Sequence, residues 1–147
     1  MPTSHPPLIL QTEVAECGLA CLAMVACHHG FRTDLSTLRA RFPGSLRGTS
    51  FDTLDQCAAQ LKLSSIAYIL SLEELRELKT PAILHWNLNH FVVLCEANHK
   101  GVVIHDPAQG VRTLSYAEAS RSFTGSALEF DKSTEFRLAD ERRKISL

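Results

Sequence analysis

Apolar positions follow two different periods along this chain, and the change between them divides it in two. From Cys17 to Cys27 the residues CGLACLAMVAC form an unbroken apolar run of 11. A run that long, apolar on every side, predicts a buried helix from about Glu16 to His29, closed by Gly30 as its C-terminal cap. Asp34 then reads as the N-cap of a helix over "LSTLRARF", ending at Pro43-Gly44. "GSLRGTS" reads as a loop, and Ser50 caps a third helix, "FDTLDQCAAQLKL", whose inner face carries Leu54, Cys57, Ala58 and Leu61.

After residue 64 the apolar runs shorten and fill with Val, Ile and Leu. "SIAYIL", "PAILHW", "HFVVLCEA", "GVVIHD", "VRTLS" and "SALEF" predict strands, with short helices at "SLEELREL" (capped by Ser71, with Glu74 at the third position) and "SYAEASRSF". Pro2, Pro6 and Pro7 keep the first ten residues extended. Helices first and antiparallel strands second predict an α+β fold with two lobes. From Asp131 the text turns polar and charged, which divides the chain into a domain over 1–130 and a tail or linker over 131–147.

Composition narrows the function classes. With 147 residues, 45% apolar and 21% charged, the chain suits one ordinary globular domain. Fifteen basic against 16 acidic residues give a net charge of -1, no footprint for nucleic acid. The 11-residue apolar run falls short of the roughly 20 needed to cross a bilayer, so no direct membrane insertion is expected. The N-terminus has neither a basic start nor a small-residue cleavage site, against a secretory signal. Five cysteines, an odd number without framework spacing, predict free thiols in the cytoplasm. No C-x-x-C pair and no H-E-x-x-H occurs, so neither a metal nor another cofactor is expected, and a metal-dependent hydrolase is the weakest reading.

Candidate chemistry starts at Cys17, which opens the buried helix. Unpaired N–H groups and the positive end of the helix dipole favour a thiolate there. Cys21, Cys27, Cys57 and Cys95 lie inside a helix or strand and read as packing residues. A thiolate nucleophile needs an imidazole and a group to orient it. Of seven histidines, His5, His28, His29 and His99 sit in the arm, at the helix end or in a turn and read as solvated. If "HFVVLCEA" and "GVVIHD" form an antiparallel hairpin closing around Asn98-His99-Lys100, His90 falls opposite the Asp106 region, within reach across the strands. His105 then points to the other face, and His85, on a different strand, is the second candidate for the base. Cys17, His90 and Asp106 thus form a nucleophile, base and orienting acid drawn from both halves of the chain. Gln11, a neutral amide just upstream, can donate to an oxyanion beside the backbone N–H of Cys17.

"QTEVAECGLACLAMVACHHG", "PAILHWNLNHFVVL" and "IHDPAQGVRTLS…FTGSALEF" resemble the double-glycine leader peptidases. These are papain-like cysteine peptidase domains at the N-terminus of bacteriocin-exporting ABC transporters, and the likeness is nearest to the colicin V exporter type. It covers roughly residues 8–130. It implies a papain-like fold with an N-terminal helical lobe and a C-terminal antiparallel β lobe, and it places nucleophile, base, orienting acid and oxyanion amide on Cys17, His90, Asp106 and Gln11. It also implies a cysteine endopeptidase that removes the leader of a bacteriocin-type precursor by cutting after Gly-Gly or Gly-Ala. Its partners would be that precursor and the membrane and ATP-binding parts of an exporter, at the cytoplasmic face of a bacterial inner membrane. The alternative is a catalytically weak domain that docks the leader without cutting it.

Overall fold

The computed structural model describes residues 5–43 and 50–134. Met1–Ser4, the expected loop at 44–49 and the tail residues 135–147 lie outside the described residues. The helical part holds α1 (Cys17–His28), α2 (Leu35–Arg41) and α3 (Phe51–Gln60). Every residue of α1 from Cys17 to Ala26 is buried, as an apolar run without a polar face demands. Gly30, just past its end, has φ 96°, a left-handed geometry that glycine adopts without strain. Asp34 and Ser50 cap α2 and α3 by accepting from the backbone N–H groups of Thr37 and Thr53.

Strands β1 (Leu63–Ile69), β2 (Ala82–Trp86), β3 (His90–Ala97), β4 (Gly101–Asp106), β5 (Gly110–Ser115) and β6 (Phe123–Lys132) make one antiparallel sheet in the order β1-β6-β2-β3-β4-β5. The last strand is longer than "SALEF". It bonds to β1 on one side and β2 on the other, so the ladders carry polar Glu129, Asp131 and Lys132 into strand despite their weak propensity. "SLEELREL" forms a 3₁₀ turn over Glu73–Glu77, and α4 (Tyr116–Ala119) is a single turn capped by Ser115 and Glu118.

Each face of the sheet buries its own cluster. On one face Phe91, Val93 and Cys95 of β3 join α1, α2 and α3 in the larger core. On the other, Leu84, Trp86, Val92, Leu94 and Ile104 pack under Leu75 and Ala119. Alternation along β3 feeds both clusters, as the two-residue period of a strand requires. Among the described residues no helix is long and apolar enough to cross a membrane.

Candidate active site

The site is assembled from the ends of secondary-structure elements. Cys17 is the first residue of α1, His90 the first of β3 and Asp106 the last of β4. Trp86 pairs with His90 across the loop Asn87-Leu88-Asn89, so a tight β2–β3 hairpin sets the position of the imidazole. Asp106 pairs with Gly110 across the next loop, and that loop supplies a backbone N–H, from Ala108, to Asp106 Oδ1 at 2.9 Å.

His90 Nε2 lies 2.7 Å from Asp106 Oδ1. That contact leaves Nδ1 as the ring nitrogen available to a thiol. Asp106 is only 2% exposed. Burial by itself would raise its carboxyl, but the hydrogen bonds from His90 and from Ala108 N–H outweigh it and hold the group below the usual carboxylate range. The His90 ring is pushed up to about 9, first by its hydrogen bond to Asp106 and next by that to Cys17, against the opposing effect of burial. An imidazole charged at neutral pH thus stands between a carboxylate and the sulfur. Cys17 Sγ also faces the carbonyl of Asn89 at 4.0 Å.

Gln11 reaches the same place from the N-terminal arm. Its backbone N–H donates to the Pro107 carbonyl at 2.9 Å, which ties the arm to the loop after Asp106. Its Nε2 donates to the Glu13 carbonyl at 3.1 Å, while Oε1 is buried without a partner. A groove of about 410 Å³ opens beside the pair, lined by Gln11, Trp86, Asn89, His90, Asp106 and Arg112 among others. Gln11, His90 and Asp106 thus line one groove, and Cys17, outside that lining, is joined to it through its hydrogen bond to His90.

The remaining candidates fall elsewhere. His85 Nδ1 pairs with Thr124 Oγ1 at 2.7 Å and the ring packs edge-on to Phe91, away from Asp106. His105 is buried on the face opposite His90 and meets His5 edge-to-face. His28 and His29, expected to be solvated, are half-buried at the end of α1, and burial pushes the His29 ring down to about 4. Cys21 is fully buried and its thiol is pushed well above the ordinary value; Cys95 is pushed up to about 12. Three residues of the site were not anticipated. Glu16, Thr12 and Arg39 form a polar clamp beneath Gln11, and only the position of Glu16 directly before Cys17 gave any sign of it.

Residues 5–135 match the Peptidase C39 family. The chain is 49% identical over 141 residues to the colicin V secretion/processing ATP-binding protein CvaB of Escherichia coli, covering 96% of this chain, and 48% identical over the same length to the probable microcin-H47 secretion/processing ATP-binding protein MchF of Escherichia coli. It spans 20% of the length of each. Among solved structures, a double glycine motif protease from an AMS/PCAT transporter, in complex with its leader peptide, superposes with a TM-score of 0.81 at 35% identity over 89% of this chain and 94% of that one. The peptidase domain of Streptococcus ComA, at 24% identity, has the same fold with a TM-score of 0.76 over 88% of this chain and all of that one. With a family match over nearly its whole length and a papain-like α+β architecture to go with it, the chain belongs to the Peptidase C39 family.

Proposed function

We propose that this domain is a cysteine endopeptidase that removes the leader from a ribosomally made precursor, cutting after Gly-Gly or Gly-Ala. In this reading Cys17 attacks the scissile carbonyl, and its sulfur forms a thioester as the amine departs. His90, charged when paired with the thiolate, gives its proton to that amine and then takes one from the water that hydrolyses the thioester. Asp106 keeps the ring oriented and charged. The backbone N–H of Cys17 and one N–H of the Gln11 amide stabilise the oxyanion. The observation that carries the reading is the placement of His90 between Cys17 and the buried Asp106, at the opening of a helix whose dipole favours a thiolate.

The relatives give the reading its substrate. One is named for colicin V secretion and processing, and a solved neighbour at 35% identity was captured with a leader peptide. The domain would then act at the cytoplasmic face of a membrane, beside the membrane-spanning and ATP-binding parts of an exporter. The test is incubation with a double-glycine precursor at pH 7–8 under reducing conditions, followed by mass spectrometry. Cleavage after the small pair, abolished by Cys17→Ala, is the expected result. Binding without cleavage would favour a docking domain, and cleavage by Cys17→Ala would overturn the nucleophile.

A further inference from the structure

The oxyanion donors proposed above, the Gln11 amide and the Cys17 N–H, are six residues apart, and the chain between them is poorly anchored by packing. Thr12 to Ala15 are exposed, and Val14 is 89% exposed. Something other than the core must hold this loop. The carboxylate of Glu16, itself only 6% exposed, lies inside it. Oε1 accepts from Thr12 Oγ1 at 2.6 Å, from Glu13 N–H at 3.0 Å and from Thr12 N–H at 3.2 Å. Oε2 accepts from Arg39 Nε of α2 at 2.5 Å, and Arg39 Nη2 donates to Thr12 Oγ1 at 2.9 Å. The peptide unit that follows carries the Glu13 carbonyl, the acceptor for Gln11 Nε2.

We propose that Glu16 and Arg39 are positioning residues for the oxyanion site, acting through Thr12, Glu13 and the Gln11 amide; this rests on the assignment of Gln11 above. The path is continuous: Arg39 holds Glu16, Glu16 holds the Thr12–Glu13 backbone, and Glu13 aims Gln11. Arg39 has a second effect. A bare carboxylate on the residue before Cys17 would oppose a thiolate and a developing oxyanion, and the guanidinium neutralises it. The hydrogen bond to Arg39 is also the main reason the Glu16 carboxyl is held down at about 2, so the clamp stays ionised wherever the enzyme works. Arg39 offers Nε to the carboxylate and Nη2 to Thr12 at once, a fork that lysine cannot reproduce.

A double-mutant cycle on a synthetic double-glycine leader substrate tests this. Gln11→Ala should lower kcat by about 10²-fold, the ordinary cost of one oxyanion donor. Arg39→Ala should lower kcat about tenfold with KM within about twofold, and the same change in the Gln11→Ala background should cost about threefold or less, because only its electrostatic effect on Glu16 survives without the Gln11 amide. Arg39→Lys should recover only part of the loss. Equal fold-losses in both backgrounds would overturn the positioning role, and so would an Arg39→Ala enzyme with unchanged kcat. An unchanged kcat for Gln11→Ala would instead remove the oxyanion assignment and this proposal with it, a distinguishable outcome. Thr12→Val deletes one hydroxyl from an exposed loop; if Arg39→Ala fails to fold, it runs the same cycle, with about a threefold loss expected in the native background.

Discussion

His90 and Asp106 meet at 2.7 Å because β3 carries one residue more than β4 can pair. Near the hairpin turn Ala97 pairs with Val102 and Glu96 with Val103; past a bulge at Cys95 the pairs become Leu94 with Ile104 and Val93 with His105. Continuing that second register puts Asp106 opposite Val92, on the same face of the sheet as His90. Continuing the first would put Asp106 opposite Val93, and a one-residue slip sends every side chain to the other face. The bulge therefore decides whether the carboxylate can touch the base.

The charge on that carboxylate should matter more than its shape. Asp106→Asn keeps the size of the side chain and the acceptor for Ala108 N–H. It removes the largest influence holding the His90 ring up near 9. The variant should fold, its His90 ring should titrate closer to the ordinary value near 6.5, and kcat/KM should fall by about 10²-fold or more. An NMR titration of His90 together with steady-state kinetics checks both, and an unmoved His90 titration would remove Asp106 from its role.

Stability should depend on pH through the same pair. The His90 ring in the folded protein titrates above its ordinary 6.5, so its contribution is complete below about pH 6.5 and is lost as pH rises through about 9. His28, His29 and His105 are depressed by burial and act in the opposite sense, costing stability as pH falls below 6.5. The difference in Tm between the wild type and His90→Gln isolates the first effect. That gap should be widest at pH 5.5–6.5 and should shrink steadily toward pH 10. The alkaline limb of kcat/KM should fall near pH 9, where the raised His90 ring loses its proton. A gap in Tm that stays level across this range would contradict the pairing.

How much of this was legible beforehand divides along physical lines. The buried helix, its Gly30 cap and the Asp34 and Ser50 caps are local features, and the structure keeps them. The hairpin that brings His90 toward Asp106 was legible from two strand runs and a short turn. The bulge was not: nothing in "HFVVLCEA" marks Cys95 as the extra residue, because a bulge is settled by packing on both faces at once. Arg39 was invisible for a similar reason, since it lies 23 residues from Glu16 and meets it only when α2 docks on α1. Burial of His28 and His29 likewise follows from what packs over the end of α1, which no local pattern encodes.

Gly101 opens β4 at a point where the neighbouring strand leaves no room. A Cβ there would stand 2.1 Å from the Leu114 carbonyl oxygen, a backbone atom that moves only if β5 moves. Gly101→Ala should therefore cost about 1–3 kcal/mol or more, the usual range for forced overpacking. Because β4 ends in Asp106, activity should fall along with stability. Chemical denaturation and kinetics on the one variant check the link, and native stability would show that β5 yields freely.

The thiols should differ in reactivity according to their surroundings, which gives a test of the site that needs no substrate. Cys95, pushed up to about 12 by burial, holds a thiolate fraction of only about 10⁻⁵ at pH 7. Cys21 is sealed in the core, and burial, with the nearby Cys17, pushes its thiol well above the ordinary value. Cys17 instead has a charged imidazole beside it and a helix N-terminus behind it. Iodoacetamide at pH 7 should alkylate Cys17 at least about 100-fold faster than Cys21 or Cys95, as read by peptide mapping. His90→Gln should slow alkylation of Cys17 while leaving the other two unchanged, since only Cys17 draws its reactivity from that ring. Equal labelling of Cys17 in both proteins would mean that the imidazole does not activate the sulfur.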